Sequence, residues 1–219
     1  MRHRRPRGSR RAPRHRRLRT LTTLLAVLLA ALLVRTYVVT PFSIPSGSMR
    51  DTLDIGDRIL VDRVSYVFGS VDRGDVVVFD GTDTFGAVGG EPAEPSVRDR
   101  VVRFLSLGLA GDVRTDYVKR VIGVGGDRVA CCDPQGRLTV NGKPLEEGRY
   151  LYPGDSPSQL RFDVRVPEGR LWVMGDHRSD SMDSRAHLGD PGGGTVPEDD
   201  VIGRVLGVVW PLDRLGGLS

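Results

Sequence analysis

The chain has 219 residues, with 32 lysines and arginines against 28 aspartates and glutamates, and only two cysteines. That length accommodates a short anchor and one domain of ordinary size, while two cysteines exclude a disulfide framework and a cysteine-built zinc site. The formal charge of +4 is uneven: ten arginines and no acid stand within residues 1–20, leaving 22 basic against 28 acidic residues beyond, a formal −6.

An arginine-rich arm can neutralise nucleic-acid phosphates. Here it runs directly into Leu21-Thr-Thr-Leu-Leu-Ala-Val-Leu-Leu-Ala-Ala-Leu-Leu-Val34. Continued through Arg35 to Val39, the run has the roughly 20 residues that span a bilayer. Arg35 can snorkel to the headgroups at its outer end. The positive-inside bias then keeps residues 1–20 in the cytoplasm and sends everything beyond the anchor across the membrane. The arm therefore reads as a topology signal, and no nucleic-acid partner is expected. A cleaved secretory signal shares the basic-then-apolar plan, but Arg35-Thr-Tyr-Val-Val-Thr-Pro41 contains no small-x-small site. An uncleaved single-pass anchor over 21–39 is the expectation, with residues 40–219 as an extracytoplasmic domain.

Just past that anchor lies Pro45-Ser46-Gly47-Ser48-Met49, whose plainest reading is a solvated turn. Beyond it the pattern is that of a β protein. Arg58–Asp62, Asp75–Phe79, Tyr117–Ile122, Leu171–Met174 and Val201–Trp210 are β-branched runs bounded by glycine. Leu138-Thr-Val-Asn141-Gly142-Lys-Pro predicts a hairpin with a type I′ turn. Residues 81–116 are rich in glycine, proline and charge and read as a surface insertion, within which Val97–Leu107 forms either a short amphipathic helix or a hairpin. A second excursion, Tyr152–Gln159, precedes a further β segment. Cys131 and Cys132 are adjacent, which leaves both a vicinal disulfide and two free thiols open.

A nucleophilic serine needs a partner that takes its proton. His3 and His15 lie in the arm, so His177 and His187 are the available histidines, and a Ser-His-Asp triad using His177 is one reading. Lysine is the more telling residue, because only Lys119 and Lys143 occur in a chain that otherwise uses arginine. Lys143 follows the Asn-Gly turn and is expected in solvent. In the strand around Lys119, alternation sets Tyr117, Lys119 and Val121 on one face and Val118, Arg120 and Ile122 on the other. Both faces carry apolar residues, so at least one basic side chain lies beside a buried surface. Either Lys119 snorkels at a strand edge, or desolvation lowers its pKa until the neutral amine acts as a general base. Arginine is no substitute, since its guanidinium stays protonated.

Four blocks, in order, resemble the type I signal (leader) peptidases: Pro45-Ser46-Gly-Ser48-Met49, Arg73-Gly-Asp75-Val-Val-Val-Phe79, Tyr117-Val-Lys119-Arg120 through Asp127, and Gly175-Asp-His-Arg-Ser-Asp-Ser181-Met-Asp183-Ser-Arg185. The resemblance implies a mainly β fold, an antiparallel domain of the signal-peptidase type on one N-terminal transmembrane helix. It makes Ser48 the nucleophile and Lys119 the general base of a Ser/Lys dyad. The Ser46 hydroxyl and Ser48 N–H would form the oxyanion hole, Ser181 would orient the lysine, and Asp183 with Arg185 would support the loop. Ile44, Met49, Leu53 and Val118 match positions lining pockets for small side chains, and Phe42 would approach the lipid interface. Preproteins with Ala-x-Ala signal peptides, delivered by the secretion translocon, and the lipid bilayer are the implied partners. No cofactor and no metal are implied. Two positions depart from the family's pattern: Asp51 stands where proline is frequent, and His177 where asparagine is. Two alternatives stand beside this reading. One is a dedicated Ser/Lys maturation protease with few substrates; the other is a non-catalytic, membrane-anchored β-domain binding factor.

Overall fold

In a computed structural model, residues 19–28, 39–86 and 116–218 are described. Met1–Val38 and Val39–Ser219 form two units. In the first, residues 19–28 are helical, and Thr22 and Thr23 each donate a hydroxyl hydrogen bond back to the Arg19 carbonyl, at 2.9 and 2.8 Å. Leu21, Leu24, Leu25, Val27 and Leu28 are exposed. Among the described residues no helix is long and apolar enough to cross a membrane. Most of the arm and residues 29–38 of the expected anchor lie outside the described residues, while Val39, the anchor's expected last residue, instead opens the first strand.

The second unit is built from two antiparallel sheets. The larger contains β1 (Val39–Ser43), β2 (Arg58–Asp62), β3 (Val76–Asp80), β4 (Asp116–Gly123), β9 (Arg170–Met174), β10 (Val196–Pro197), β11 (Val201–Trp210) and β12 (Gly216–Gly217). Its order is β1-β2-β11-β3-β4-β9-β10, with β12 on β11. The smaller runs β7-β6-β5-β8, from β5 (Arg128–Cys131), β6 (Leu138–Val140), β7 (Lys143–Pro144) and β8 (Phe162–Arg165).

Strand β3 shows why these residues take this form. Four consecutive apolar residues are a poor match to a sheet with one wet face, but they suit a strand covered on both sides. Accordingly Val76 and Val78 enter one core cluster, with Ile59, Val61 and Val205, while Val77 and Phe79 enter another, with Val121, Leu171 and Val173. The expected hairpin is present: Asn141 and Gly142 take positive φ angles of 53° and 75°, and Val140 faces Lys143 across the turn. Lys143 is exposed, as expected.

The onset of the expected insertion is packed, not solvated. Phe85 is buried, with its ring edge-on to Phe79 and Tyr117 at 5.5 and 5.3 Å, and the Tyr117 hydroxyl donates to the Gly86 carbonyl. An aromatic side chain outweighs the turn-forming residues around it, which alone suggested solvent. Residues 87–115, including Val97–Leu107, lie outside the described residues.

The approach to the serine turn is a strand. Pro41, Phe42 and Ser43 belong to β1, paired to Leu60, Ile59 and Arg58, and Phe42 packs against the first core cluster. Beyond it the chain coils tightly: the Arg50 N–H donates to the Gly47 carbonyl and the Leu53 N–H to the Met49 carbonyl, at 3.0 and 2.7 Å. Asp51 in this coil has φ +80°. Proline locks φ near −65°, so Asp51→Pro is expected to destabilise the domain by more than about 1 kcal/mol. A lowered urea midpoint measures it, and an unchanged midpoint contradicts the assigned backbone.

Candidate active site

Three segments meet at the site: the coil after β1, strand β4, and the loop from Gly175 to Arg185. Met49 and Leu53 hold the coil in place. Their exposures are 1% and 0%, and burial of such side chains contributes roughly 2 kcal/mol each. Ser48 lies between this anchor and Gly47, with 6% of its surface exposed. Its carbonyl accepts the His177 backbone N–H at 3.0 Å, which fastens the coil to the third segment.

Lys119 comes from the middle of β4, opposite Val77, and is 3% exposed. Its Nζ donates to Ser48 Oγ at 2.6 Å. Burial pushes the amine down to about 8, against the opposing pull of Asp183 and Asp176. A hydroxyl bonded to such an amine has an acceptor for its proton near neutral pH.

The third segment turns back on itself through Asp183. Its carboxylate accepts the Gly175 N–H at 3.0 Å, two hydrogen bonds from the Arg185 guanidinium, at 2.8 and 2.7 Å, and the Arg185 N–H at 3.2 Å. Burial alone would raise this carboxyl, but the Arg185 bonds and charge outweigh it and hold its pKa below the usual range. A Cβ at Gly175 would collide with Ser48 O and Ser181 Oγ, so only glycine permits this approach of loop to coil. The Ser181 hydroxyl is buried and lies on the side of Asp183, whose pKa it helps to lower; Lys119 Nζ bonds Ser48 Oγ instead.

The remaining sequence-predicted residues divide. Ser46 is exposed, two residues before Ser48. Ile44, Met49 and Leu53 are no more than 3% exposed and belong to the core. Of the four expected pocket residues, Val118 is the one that keeps surface, packed as a partly buried neighbour of that cluster. A Cβ on Gly47 would stand 3.0 Å from Asp180 Oδ2. The His177 ring stacks on Tyr152 at 4.0 Å, with Nδ1 3.3 Å from the Gly47 carbonyl. His187 stacks on Phe85 and meets Asp190. Neither ring is bonded to Ser48 Oγ, which the lysine holds.

Sequence reasoning gave no role to Arg120 and Asp176, although both stood in quoted blocks. Asp176 is fully buried and receives Arg120 Nε and Nη2, each at 2.8 Å, and the Thr52 hydroxyl at 2.6 Å. Arg120 also lies over the Tyr150 ring at 4.2 Å. Arg178, likewise buried, bonds Glu147, the Gly175 carbonyl and the Pro157 carbonyl. Charges this deep are costly unless paired, and Asp176, held by Arg120 of β4 and Thr52 of the coil, ties all three segments together. The available signal was Arg120 itself, a second basic residue in a strand with two apolar faces.

Cys131 and Cys132 are joined in a vicinal disulfide, which resolves the choice left open by their adjacency. Among the described residues, no cluster of histidine, cysteine, aspartate and glutamate is placed to hold a metal ion.

Residues 17–210 match the family described as signal peptidase, peptidase S26. The chain is 42% identical over 212 residues to a probable signal peptidase I of Mycobacterium leprae (strain TN), covering 84% of this chain and 73% of that protein. It is 42% identical over 207 residues to a signal peptidase I of Mycobacterium tuberculosis (strain ATCC 25618 / H37Rv), covering 83% and 68%. A signal peptidase I of Leptolyngbya laminosa is 34% identical over 189 residues, covering 86% and 77%. With a family match over nearly its whole length behind the serine–lysine geometry, this chain belongs to the signal peptidase family, peptidase S26.

Proposed function

We propose that this protein is a signal peptidase I, a serine endopeptidase that removes N-terminal signal peptides from exported preproteins after small-x-small sites. The observation that carries the mechanism is the 2.6 Å hydrogen bond between buried Lys119 and Ser48. Ser48 Oγ attacks the scissile carbonyl and gives its proton to the neutral Lys119 amine. The Ser46 hydroxyl and the Ser48 N–H stabilise the oxyanion, an interaction typically contributing about 100- to 1,000-fold per donor. The protonated lysine then delivers its proton to the leaving amine, and an acyl ester remains on Ser48. Water, deprotonated by the same amine, hydrolyses that ester. Buried Asp183–Arg185 and Arg120–Asp176 hold the loop and strand so that the two reacting groups stay in line.

Cleavage of a preprotein carrying an Ala-x-Ala site is the direct test. N-terminal sequencing of the product should place the cut after the second alanine, and a bulky residue at that position should block it. A protein that leaves such preproteins intact under conditions where it is folded is not a signal peptidase.

The reading extends to location. Residues 21–38, which end where β1 begins, serve as a single-pass anchor, with residues 1–20 in the cytoplasm and the catalytic domain on the export side, where a translocated cleavage site becomes available. The ten arginines before residue 21 support this orientation. Protease added to intact spheroplasts is expected to digest the bulk of the chain and leave a small protected N-terminal fragment. Survival of the full-length protein until the membrane is opened would place the site in the cytoplasm and exclude this function.

A further inference from the structure

We propose that the Cys131–Cys132 disulfide is a thiol–disulfide exchange site, opened by an external dithiol and coupled to the catalytic loop through residues 152–161. A disulfide stabilises a fold chiefly by closing a chain loop, and the benefit grows with loop length. These cysteines are separated by a single peptide bond, so the bond closes no loop and has little value as a staple.

Its surroundings suit chemistry instead. Both cysteines line a cleft of about 520 Å³ together with Asp133, Ser156, Ser158 and Arg161. The Asp133 carboxylate is engaged by Arg137 at 2.9 Å and by the Gln135 and Arg137 N–H groups. Arg161 is exposed and stands at the cleft as a positive charge, which favours an approaching thiolate. Cys131 is buried and Cys132 only half-buried, so Cys132 Sγ is the sulfur open to attack.

The other wall of this cleft reaches the active site. Tyr152 donates its N–H to the Asp176 carbonyl at 3.0 Å and stacks on His177. Asp155 accepts the Ser179 N–H and hydroxyl, at 3.1 and 2.7 Å, and the Pro157 carbonyl accepts Arg178 Nη1 at 2.7 Å. Where the segment ends, Phe162 faces Cys131 across the β5–β8 ladder. The disulfide thus sits at the foot of the same segment whose other end grips residues 176–179.

In the exchange, a thiolate of the dithiol attacks Cys132 Sγ, the Cys131–Cys132 bond breaks, and the Cys131 thiolate leaves and takes a proton. The second thiol of the reductant then attacks its own sulfur in the mixed disulfide, releasing Cys132. The protein gains two thiols and the reductant becomes a disulfide, a two-electron transfer. Freed from each other, the two side chains no longer hold the cleft floor, and the grip of residues 152–161 on the catalytic loop loosens.

The test uses the full chain in detergent, treated with dithiothreitol at neutral pH without denaturant, then with iodoacetamide. Mass analysis is expected to find two carbamidomethyl groups on the Cys131–Cys132 peptide. Labelling that appears only after denaturation overturns the exchange site. This arm is independent of the proposed peptidase activity; the second arm rests on it. There, reduction is expected to lower kcat on an Ala-x-Ala peptide about three- to tenfold through loss of positioning. The Cys131→Ser/Cys132→Ser variant should show the reduced form's rate and no response to the dithiol. Successful labelling with unchanged kcat, or a double variant as fast as the oxidised protein, overturns the coupling.

Discussion

Ser48→Ala and Lys119→Met are each expected to lower preprotein cleavage by at least about a thousandfold, while leaving a folded protein. The double variant should be no worse than either single one, because the two groups act as a unit in the proposed mechanism. Ser48 supplies the attacking oxygen, and without the amine its proton has no acceptor within reach. Lys119→Arg should fail as completely as Lys119→Met, since a guanidinium keeps its protons at any usable pH. His177→Ala separates this mechanism from a triad. Its ring faces Gly47 and Tyr152, so its loss should leave substantial activity. Near-wild-type cleavage by Lys119→Met, with loss of activity in His177→Ala, would assign the base to the histidine. Single-turnover rates on an Ala-x-Ala peptide, with circular dichroism as the folding control, decide between them.

The second expected result is a pH profile with an alkaline plateau. Only the neutral amine accepts the serine proton, and burial holds Lys119 at about 8. The rate should therefore rise about tenfold per unit of pH below 8 and level off above it, so that about a tenth of the plateau remains at pH 7. A profile flat from pH 6 to 10, with the domain folded throughout, would rule out a titrating lysine.

The same burial makes a stability prediction of definite sign. The folded pKa lies below the 10.5 of an ordinary lysine, so between these two values the unfolded chain binds more protons than the folded one. Stability should then rise with pH from about 8 to 10.5 and gain about 3 kcal/mol from this group across the window. Below pH 8 both states are protonated and the contribution is flat. Lys119→Met removes the buried cation and is expected to be more stable than the parent at pH 7, by about 1–3 kcal/mol. Urea midpoints for the two proteins at pH 7 and 10 measure this, and their difference should shrink at the higher pH.

Much of the architecture was legible in the sequence because strands and tight turns are short-range matters. Asp75–Phe79 reads as a strand from its β-branched run after a glycine, and Asn141-Gly142 as a type I′ turn from the positive φ angles those residues tolerate. The rarity of lysine singled out Lys119, and four ordered motifs singled out Ser48 and the 175–185 loop. What no local pattern contains is partnership. Ser48 and Lys119 are 71 residues apart in the chain and 2.6 Å apart in space, a contact that exists only because β4 pairs with β3 behind the packed coil. Burial is likewise a property of the whole, which is why Met49 and Leu53 lie in the core. It is also why Phe85 draws the start of a glycine-rich segment inward. Asp176 acquires its buried arginine, and Lys119 its lowered pKa, from the same source: the exclusion of water where three distant segments close on one another.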